Sequence, residues 1–340
     1  MDDVKKQAKT ISEEYADKIR ADYRNDQLMR YAPVMVLLLL VTTFGIICGN
    51  KFLSIGNLVV LLNQFATPLV IAMGLTFVII TGGIDLSING VVGMAASIFG
   101  IFVLNTRYAQ NNLGWLAVLI AVAACALAGF LIGLIHVKSM IPSFMVSFAF
   151  MYICKGIGLC SYAGIPPAIL DPVFIRLGQT SFLSIPFINW VAFAVFAACL
   201  YLQEYTPFGR HIYAIGANED SPRSVGVNVG RTKILVFMIA GVCNGIAGVL
   251  GAIRMCQGQV AIGNGLMFPA QAAVVIGGTA LSGGKGGVIN TVVGVLIMTV
   301  LENGLLILAV NPYIKTGIEG LIILLAVILS VPRGSKVISK

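Results

Sequence analysis

Long apolar runs, punctuated by short polar stretches, recur along almost the whole chain. Hydropathy places ten of them, near residues 32–49, 65–82, 86–104, 115–135, 141–160, 187–203, 234–256, 268–282, 288–309 and 317–332. A helix needs roughly 20 apolar residues to cross the hydrocarbon core of a bilayer, and most of the ten runs meet that need. Lys155 interrupts the fifth run, and the eighth is short enough to be re-entrant. Residues 52–64 are amphipathic, so they either lie at the interface or lengthen the second span outward. The pattern predicts an all-α polytopic membrane protein with about ten transmembrane helices.

Composition removes the alternatives. Of 340 residues, 58% are hydrophobic and 11% charged, whereas about a quarter of a soluble domain is charged. One globular core cannot hide that surplus, which excludes a cytosolic enzyme and a secreted domain. Residues 1–30 hold seven Lys/Arg and seven acids with no apolar centre behind a basic start. They read as a polar cytoplasmic tail rather than a cleavable signal peptide.

Charge position then orients the spans. With the N-terminus inside, Lys138, Arg210, Arg223, Arg231, Lys233, Lys285, Arg333, Lys336 and Lys340 join the seven N-terminal cations on the cytoplasmic side. Lys51, Arg107, Arg176 and Lys315 fall outside, and Lys155 and Arg254 sit in or near helix ends. That asymmetry is the positive-inside pattern, so the expectation is N-in and C-in, with residues 334–340 a short cytoplasmic tail. Tyr31, Trp115, Trp190, Tyr201 and Tyr313 fall at span ends, where amphipathic rings favour the headgroups. No basic stripe interleaved with exposed aromatics points to nucleic acid.

Small and reactive residues narrow the chemistry. The seven cysteines are scattered through apolar runs, with no CxxC pair and no histidine at zinc spacing, as expected of small buried hydrophobes. Gly129 with Gly133, and Gly241 with Gly245, form GxxxG pairs that let helix backbones approach. Packing within one subunit is favoured over a dimer seam. His136 and His211 fall in cytoplasmic loops without a nucleophile or metal set, so an integral membrane enzyme has no support. SGGKGG at 282–287 fails the phosphate-loop pattern, which requires Gly at 279 and Ser or Thr at 286. The chain has Thr279 and Gly286. No cofactor is expected in this chain.

The longest cytoplasmic loop spans residues 204–233. Its middle reads as a short helix capped by Asn218 or Ser221, with Pro222 in the first turn and Glu219 and Asp220 at its positive end. Such a helix suits docking to a soluble partner, and an ordinary solvated loop fits equally well. Asp85 is the least expected charge in the apolar sequence. A second span starting at Phe65 would already cross the core by Gly82, which leaves Asp85 as a helix cap at the cytoplasmic edge. The other reading places it in a gate or pathway. Gly277-Gly278-Thr279-Ala280-Leu281-Ser282 echoes Gly82-Gly83-Ile84-Asp85-Leu86-Ser87 in four of six positions, as internal repeats of transporters do.

Five stretches resemble, in order, the bacterial sugar ABC importer permeases of the ribose/xylose/galactose type, a group that also includes branched-chain amino acid permeases. They are TGGIDLSINGVVGM (81–94), IPSFMVSFAFMYICKGIG (141–158), GANEDSPRSVGVNVGRTK (216–233), AAVVIGGTALSGGKGGVINTVVGVLI (272–297) and ENGLLILAVNPY (302–313). Together they cover roughly residues 50–333. The third matches the group's Gly-x-Asn-Glu-x-Ala-Ala…Gly-Ile-x-Val loop, with Ser221-Pro222 in place of Ala-Ala. Where the group has Glu-Leu-Asp before its Ala-Ala-Val-Val-Ile-Gly-Gly stretch, this chain has Met267-Phe268-Pro269 and then Gln271. Glu302 stands where a neutral polar residue is usual.

The resemblance implies an ABC importer transmembrane-domain fold over 31–333, in the multi-pass plasma (inner) membrane of a bacterium. It implies a permease that carries a monosaccharide into the cytoplasm. Its partners would be cytoplasmic ATPase subunits holding ATP and Mg, an extracytoplasmic binding protein, and a second permease copy as homodimer or heterodimer. Asn218, Glu219 and Gly226 would belong to the ATPase-coupling loop. Asp85, Ser87, Asn89, Asn63, Gln64, Phe65, Ser143, Phe144 and Gln271 are candidates for the translocation pathway or its gate, each weighed against plain helix packing. Glu302 and Glu319 could snorkel, pair with Lys315 or Arg254, or line the pathway. A nucleoside or branched-chain amino acid permease remains open, as does an ion-coupled carrier using Glu302 as its buried carboxylate.

Overall fold

The computed structural model describes residues 31–107, 112–183 and 185–330, the side chains at 319, 323 and 325–330 excepted. The tails assigned to 1–30 and 334–340 lie outside the described residues, as does the side chain of Glu319. Each of the ten apolar runs carries a helix. The first, α1 (Tyr31–Cys48), leads through the four-residue α2 (Asn50–Leu53) into α3 (Ile55–Ile80). Then come α4 (Ile88–Phe102), α5 (Trp115–Ser139) and α6 (Ser143–Tyr162), followed by a short α7 (Pro172–Gln179) and a hairpin of β1 (Ser181–Phe182) with β2 (Ile185–Pro186). Next are α8 (Phe187–Tyr205), α9 (Pro207–Ala217), α10 (Asp220–Ser224) and α11 (Val229–Met255). A 3₁₀ turn at Val260–Gly263 precedes α12 (Met267–Ile276), α13 (Val288–Ile307) and α14 (Pro312–Ser330). Among the described residues, seven helices are long and apolar enough to cross a membrane: α1, α3, α5, α6, α8, α11 and α13.

Helix α3 is the axis of the bundle. It begins ten residues before the expected Phe65, because Ser54 caps it by accepting from the Asn57 amide at 3.1 Å. The amphipathic 52–64 stretch therefore extends this helix instead of lying flat. From Leu69 to Ile80 the helix is buried on every side, against α11, α8, α13 and α12. Polar contacts fix its register with α13. The hydroxyls of Thr76 and Thr291 lie 2.8 Å apart, and Asn57 and Asn303 each donate an amide N–H to the other's carbonyl at 3.0 Å. Amide pairs of this kind between apolar helices contribute about 0.6 kcal/mol on average, up to about 1.7. A double-mutant cycle with Asn57→Leu and Asn303→Leu, read by thermal unfolding in detergent, is expected to return a coupling in that range. A cycle closing at zero would show that packing alone sets this contact.

Helices α5 and α11 form the most extensive pair. Gly129 lies against the backbone of Phe237 and Gly241, and Gly241 lies against the backbone of Cys125. Both GxxxG motifs thus meet in one seam inside the chain, as the small-residue pattern predicted. A side chain at either position would separate the helices and forfeit van der Waals contact along their length.

Two departures from the hydropathy reading shape the ends. At one end, Asp171 accepts from the Val173 amide at 2.8 Å and Pro172 occupies the first turn, so α7 forms where a plain loop was expected. At the other end, the 204–233 loop is mostly helix, and α11 starts at Val229, five residues before the expected boundary.

The eighth run holds a short helix after an irregular stretch. Residues 258–263 run antiparallel along α4, and α12 then packs on α13, α3 and α14. Gly258 touches Gly100, the Met267 amide donates to Asn89 Oδ1 at 2.9 Å, and Gln271 Nε2 donates to the Asp85 carbonyl at 3.1 Å. Only part of this traverse is regular helix.

Candidate functional site

The α9–α10 unit is built by local capping and apolar spacing. Pro207 opens α9, where a missing N–H costs nothing. Ile212 and Ile215 are buried, and Phe208 meets Phe77 of α3 edge-on at 5.7 Å between centroids. At the end of α9, Asn218 Oδ1 accepts from the Asp220 amide at 2.9 Å and turns the chain into α10. Pro222 is buried beneath that turn. Gly226, at φ +82°, donates its amide to the Arg223 carbonyl at 3.1 Å and so closes it. Asn228 then caps α11 by accepting from the Arg231 amide at 2.9 Å.

Glu219 holds this unit to the bundle. One carboxylate oxygen takes the Lys233 ammonium on α11, and the other faces Arg223 Nη2 at 3.5 Å. The Lys233 side chain is only 16% exposed against 61% for Arg223, so the Lys233 pair is the sheltered and stronger one. Sequence reading assigned Glu219 outward to a partner and did not see Lys233. The carboxylate is also an internal tie.

A cleft of roughly 950 Å³ opens beside the unit, walled by Thr81–Ile84, the ends of α5 and α6, and Gly216–Asp220. Phe144 is half-exposed on its wall, Ser143 lies next to it, and Asn218 and Glu219 line it as well. Gly226 lies outside the cleft wall.

The segment between α3 and α4 forms the cleft's inner boundary. It is extended, yet its amides are met: Ile84 donates to Ser143 Oγ and Leu86 to Ser147 Oγ, each at 3.0 Å. Asp85 is 2% exposed. Its Oδ1 accepts from the Ser87 amide at 2.8 Å and the Ser87 hydroxyl at 2.6 Å, an Asx turn leading into α4. Burial pushes this carboxyl above its ordinary value, and the two Ser87 bonds oppose that. Asp85 thus shapes the turn just before α4, whose N-cap is Ser87, without itself accepting from a helix amide. Asp85, Ser87, Asn89 and Gln271 come together in one polar band where the start of α12 touches the start of α4.

The remaining candidates lie elsewhere. Asn63, Gln64 and Phe65 sit on the opposite half of α3, one turn before Pro68. Proline in a helix leaves the carbonyl four residues earlier without its usual donor. Nearby, Arg254 of α11 donates to the Asn63 carbonyl at 3.0 Å, and Gln64 Oε1 is buried without a partner. Phe65 is core. Glu302 pairs with Lys315 at 3.8 Å near the far ends of α13 and α14, not with Arg254. That placement is unlike the deep, unpaired carboxylate an ion-coupled carrier needs. Sequence reading missed Asn189, wholly buried at the start of α8 with both amide atoms unpartnered. A lone asparagine in FINWVAF was its only signal. Among the described residues, no group of three or more His, Cys, Asp or Glu is arranged to hold a metal ion.

Comparisons with known proteins bear on this arrangement. A family model described as branched-chain amino acid transport system / permease component matches residues 57–327. The ribose import permease RbsC of Escherichia coli K12 is 35% identical over 309 residues, covering 88% of this chain and 93% of that protein. RbsC of Bacillus subtilis 168 is 34% identical over 304 residues, covering 89% and 92%. The galactose/methyl galactoside import permease MglC of Escherichia coli K12 is 32% identical over 313 residues, covering 87% and 92%. No solved structure matches the chain.

Proposed function

This chain belongs to the family of branched-chain amino acid transport system permease components, and from that premise we propose that it is the membrane-spanning subunit of an ATP-driven monosaccharide importer. The observation that carries the reading is similarity along nearly the whole length to permeases that import ribose and galactose. The broader family name leaves amino acids as a second substrate class. The sugar reading is preferred because an amino acid carries two charged groups. The polar band at Asp85, Ser87, Asn89 and Gln271 offers amides and hydroxyls, and its one carboxyl is spent on Ser87.

The α9–α10 unit is the docking element for a cytoplasmic ATPase, with Asn218, Glu219 and Gly226 shaping it. ATP and Mg belong to that partner. The opposite end, with α7 and the β1–β2 hairpin, faces the binding protein, and a second permease copy completes the membrane assembly. Ten crossings with both termini cytoplasmic accord with the positive-inside distribution of Lys and Arg along the sequence. Seven long helices are joined by the shorter α4, the 256–276 traverse and α14, and the cations Lys138, Arg210, Arg223, Arg231, Lys233 and Lys285 gather at the α9 end.

Reconstitution tests the whole reading. Proteoliposomes holding this chain with its ATPase and binding protein are given labelled pentoses, hexoses, nucleosides and branched-chain amino acids. Accumulation of one sugar that requires both ATP and the binding protein is the expected result. Accumulation driven by an ion gradient without ATP would replace the importer with a carrier.

A further inference from the structure

The C-terminal end of α3, the 282–287 loop and the end of α9 meet in space. The Ile80 carbonyl, at the end of α3, accepts from the Gly284 amide at 2.8 Å. Gly216, in the last turn of α9, lies over both atoms so closely that a methyl group there would overlap them. Gly283 comes close to Gly82, with an added Cβ 3.0 Å from its nitrogen. The loop reaches these contacts through left-handed backbone at Gly283, Gly284 and Gly286, φ 85°, 75° and 122°, a route open to glycine.

Two side chains fasten the loop. The Tyr213 hydroxyl of α9 donates to the Gly286 carbonyl at 2.7 Å. Burial, with Glu204 adding to it, pushes this phenol up to about 12, so it remains a donor at any physiological pH. The Val288 amide, opening α13, donates to Gln203 Oε1 at 2.8 Å. In the same loop the Thr279 hydroxyl is wholly buried with no partner.

We propose that this junction is the transmission joint of the importer. Displacement of α9–α10 passes through Gly216 and Tyr213 to the 282–287 loop and the C-terminus of α3, moving Gly82 and Gly283-Gly284 together. Gly82, Gly83, Gly216 and Ser282 all line the cleft, so movement of the joint changes its width. Gly216 and Tyr213 are positioning residues that touch neither nucleotide nor sugar. The inference rests on the importer reading above.

The test measures ATP hydrolysis and sugar uptake in the same proteoliposomes, with ATPase and sugar-loaded binding protein present. Wild-type uptake that ignores ATP would sink the importer reading itself and is seen before any variant is made. With wild-type coupling in hand, Tyr213→Phe is expected to keep hydrolysis within about twofold while sugar moved per ATP falls about fivefold, the loss of one buried hydrogen bond. Gly216→Ala is expected to lower the same ratio by more, on the order of tenfold or beyond, because a small misplacement at a joint is amplified downstream. If hydrolysis and uptake fall in proportion, leaving the ratio unchanged, the contacts are merely structural and the proposal is overturned. Unchanged values for both in Tyr213→Phe overturn it as well. Should Gly216→Ala fail to insert, Tyr213→Phe decides alone.

Discussion

A Glu219→Lys variant is expected to lose ATP-driven uptake by about tenfold or more while still inserting and eluting as the wild type does. The substitution sets a cation against the sheltered Lys233 and against Arg223, where Glu219 now ties both. Setting like charges face to face destabilises the turn, more at the sheltered Lys233 than at the solvent-screened Arg223. The chain relieves that by swinging the α9–α10 turn away from α11. The core of the bundle is untouched, because α3, α5, α11 and α13 are held by apolar burial and by the threonine and asparagine pairs. Glu219→Gln, which removes the charge without reversing it, should lie between. Size-exclusion chromatography checks folding, and uptake in the reconstituted complex checks function. Wild-type uptake in Glu219→Lys would take this turn out of the mechanism.

The largest effect on folding is expected from Gly241→Leu. The residue lies against the Cys125 backbone and faces Gly129 across the α5–α11 seam. Overpacking a tight core costs about 1–3 kcal/mol when side chains can yield, and more when they cannot. Here the obstacle is main chain on both sides. The helices must separate, and no monodisperse folded protein is expected in detergent. Gly156→Ala on α6 serves as the control, since an added Cβ there meets nothing within 4 Å and alanine favours a helix by up to about 1 kcal/mol. Normal melting of Gly241→Leu would show that the seam is looser than its geometry.

Hydropathy located all ten apolar helices because lipid exposure writes itself into composition more strongly than any other environment. What it blurred were segments governed by local contacts. Helix α9 escaped notice because its Gly209, Arg210, His211 and Gly216 dilute the apolar signal. Thr206-Pro207 and the Phe208, Ile212, Ile215 spacing were the available cues, and packing onto α3 completes the helix. Asp171-Pro172 announced α7 in the same way. The break at Asp85 was legible as a polar interruption between two apolar runs. The partnership of Glu219 with Lys233 was not, since it joins residues 14 positions apart across a turn. Nor could spacing reveal that the 282–287 loop lies against the end of α3, because no local pattern records a contact between segments so far apart.

The broken traverse at 256–276 bears on how the chain is made. Its regular helix, α12, has ten residues, about 15 Å long and half of what a bilayer core demands. Such a segment cannot be recognised by the insertion machinery on hydrophobicity alone. Its hydrogen-bond partners, Asn89 and the Asp85 carbonyl, lie upstream and have left the ribosome nearly 180 residues earlier. The placement of this segment therefore depends on partners that were made early in the chain.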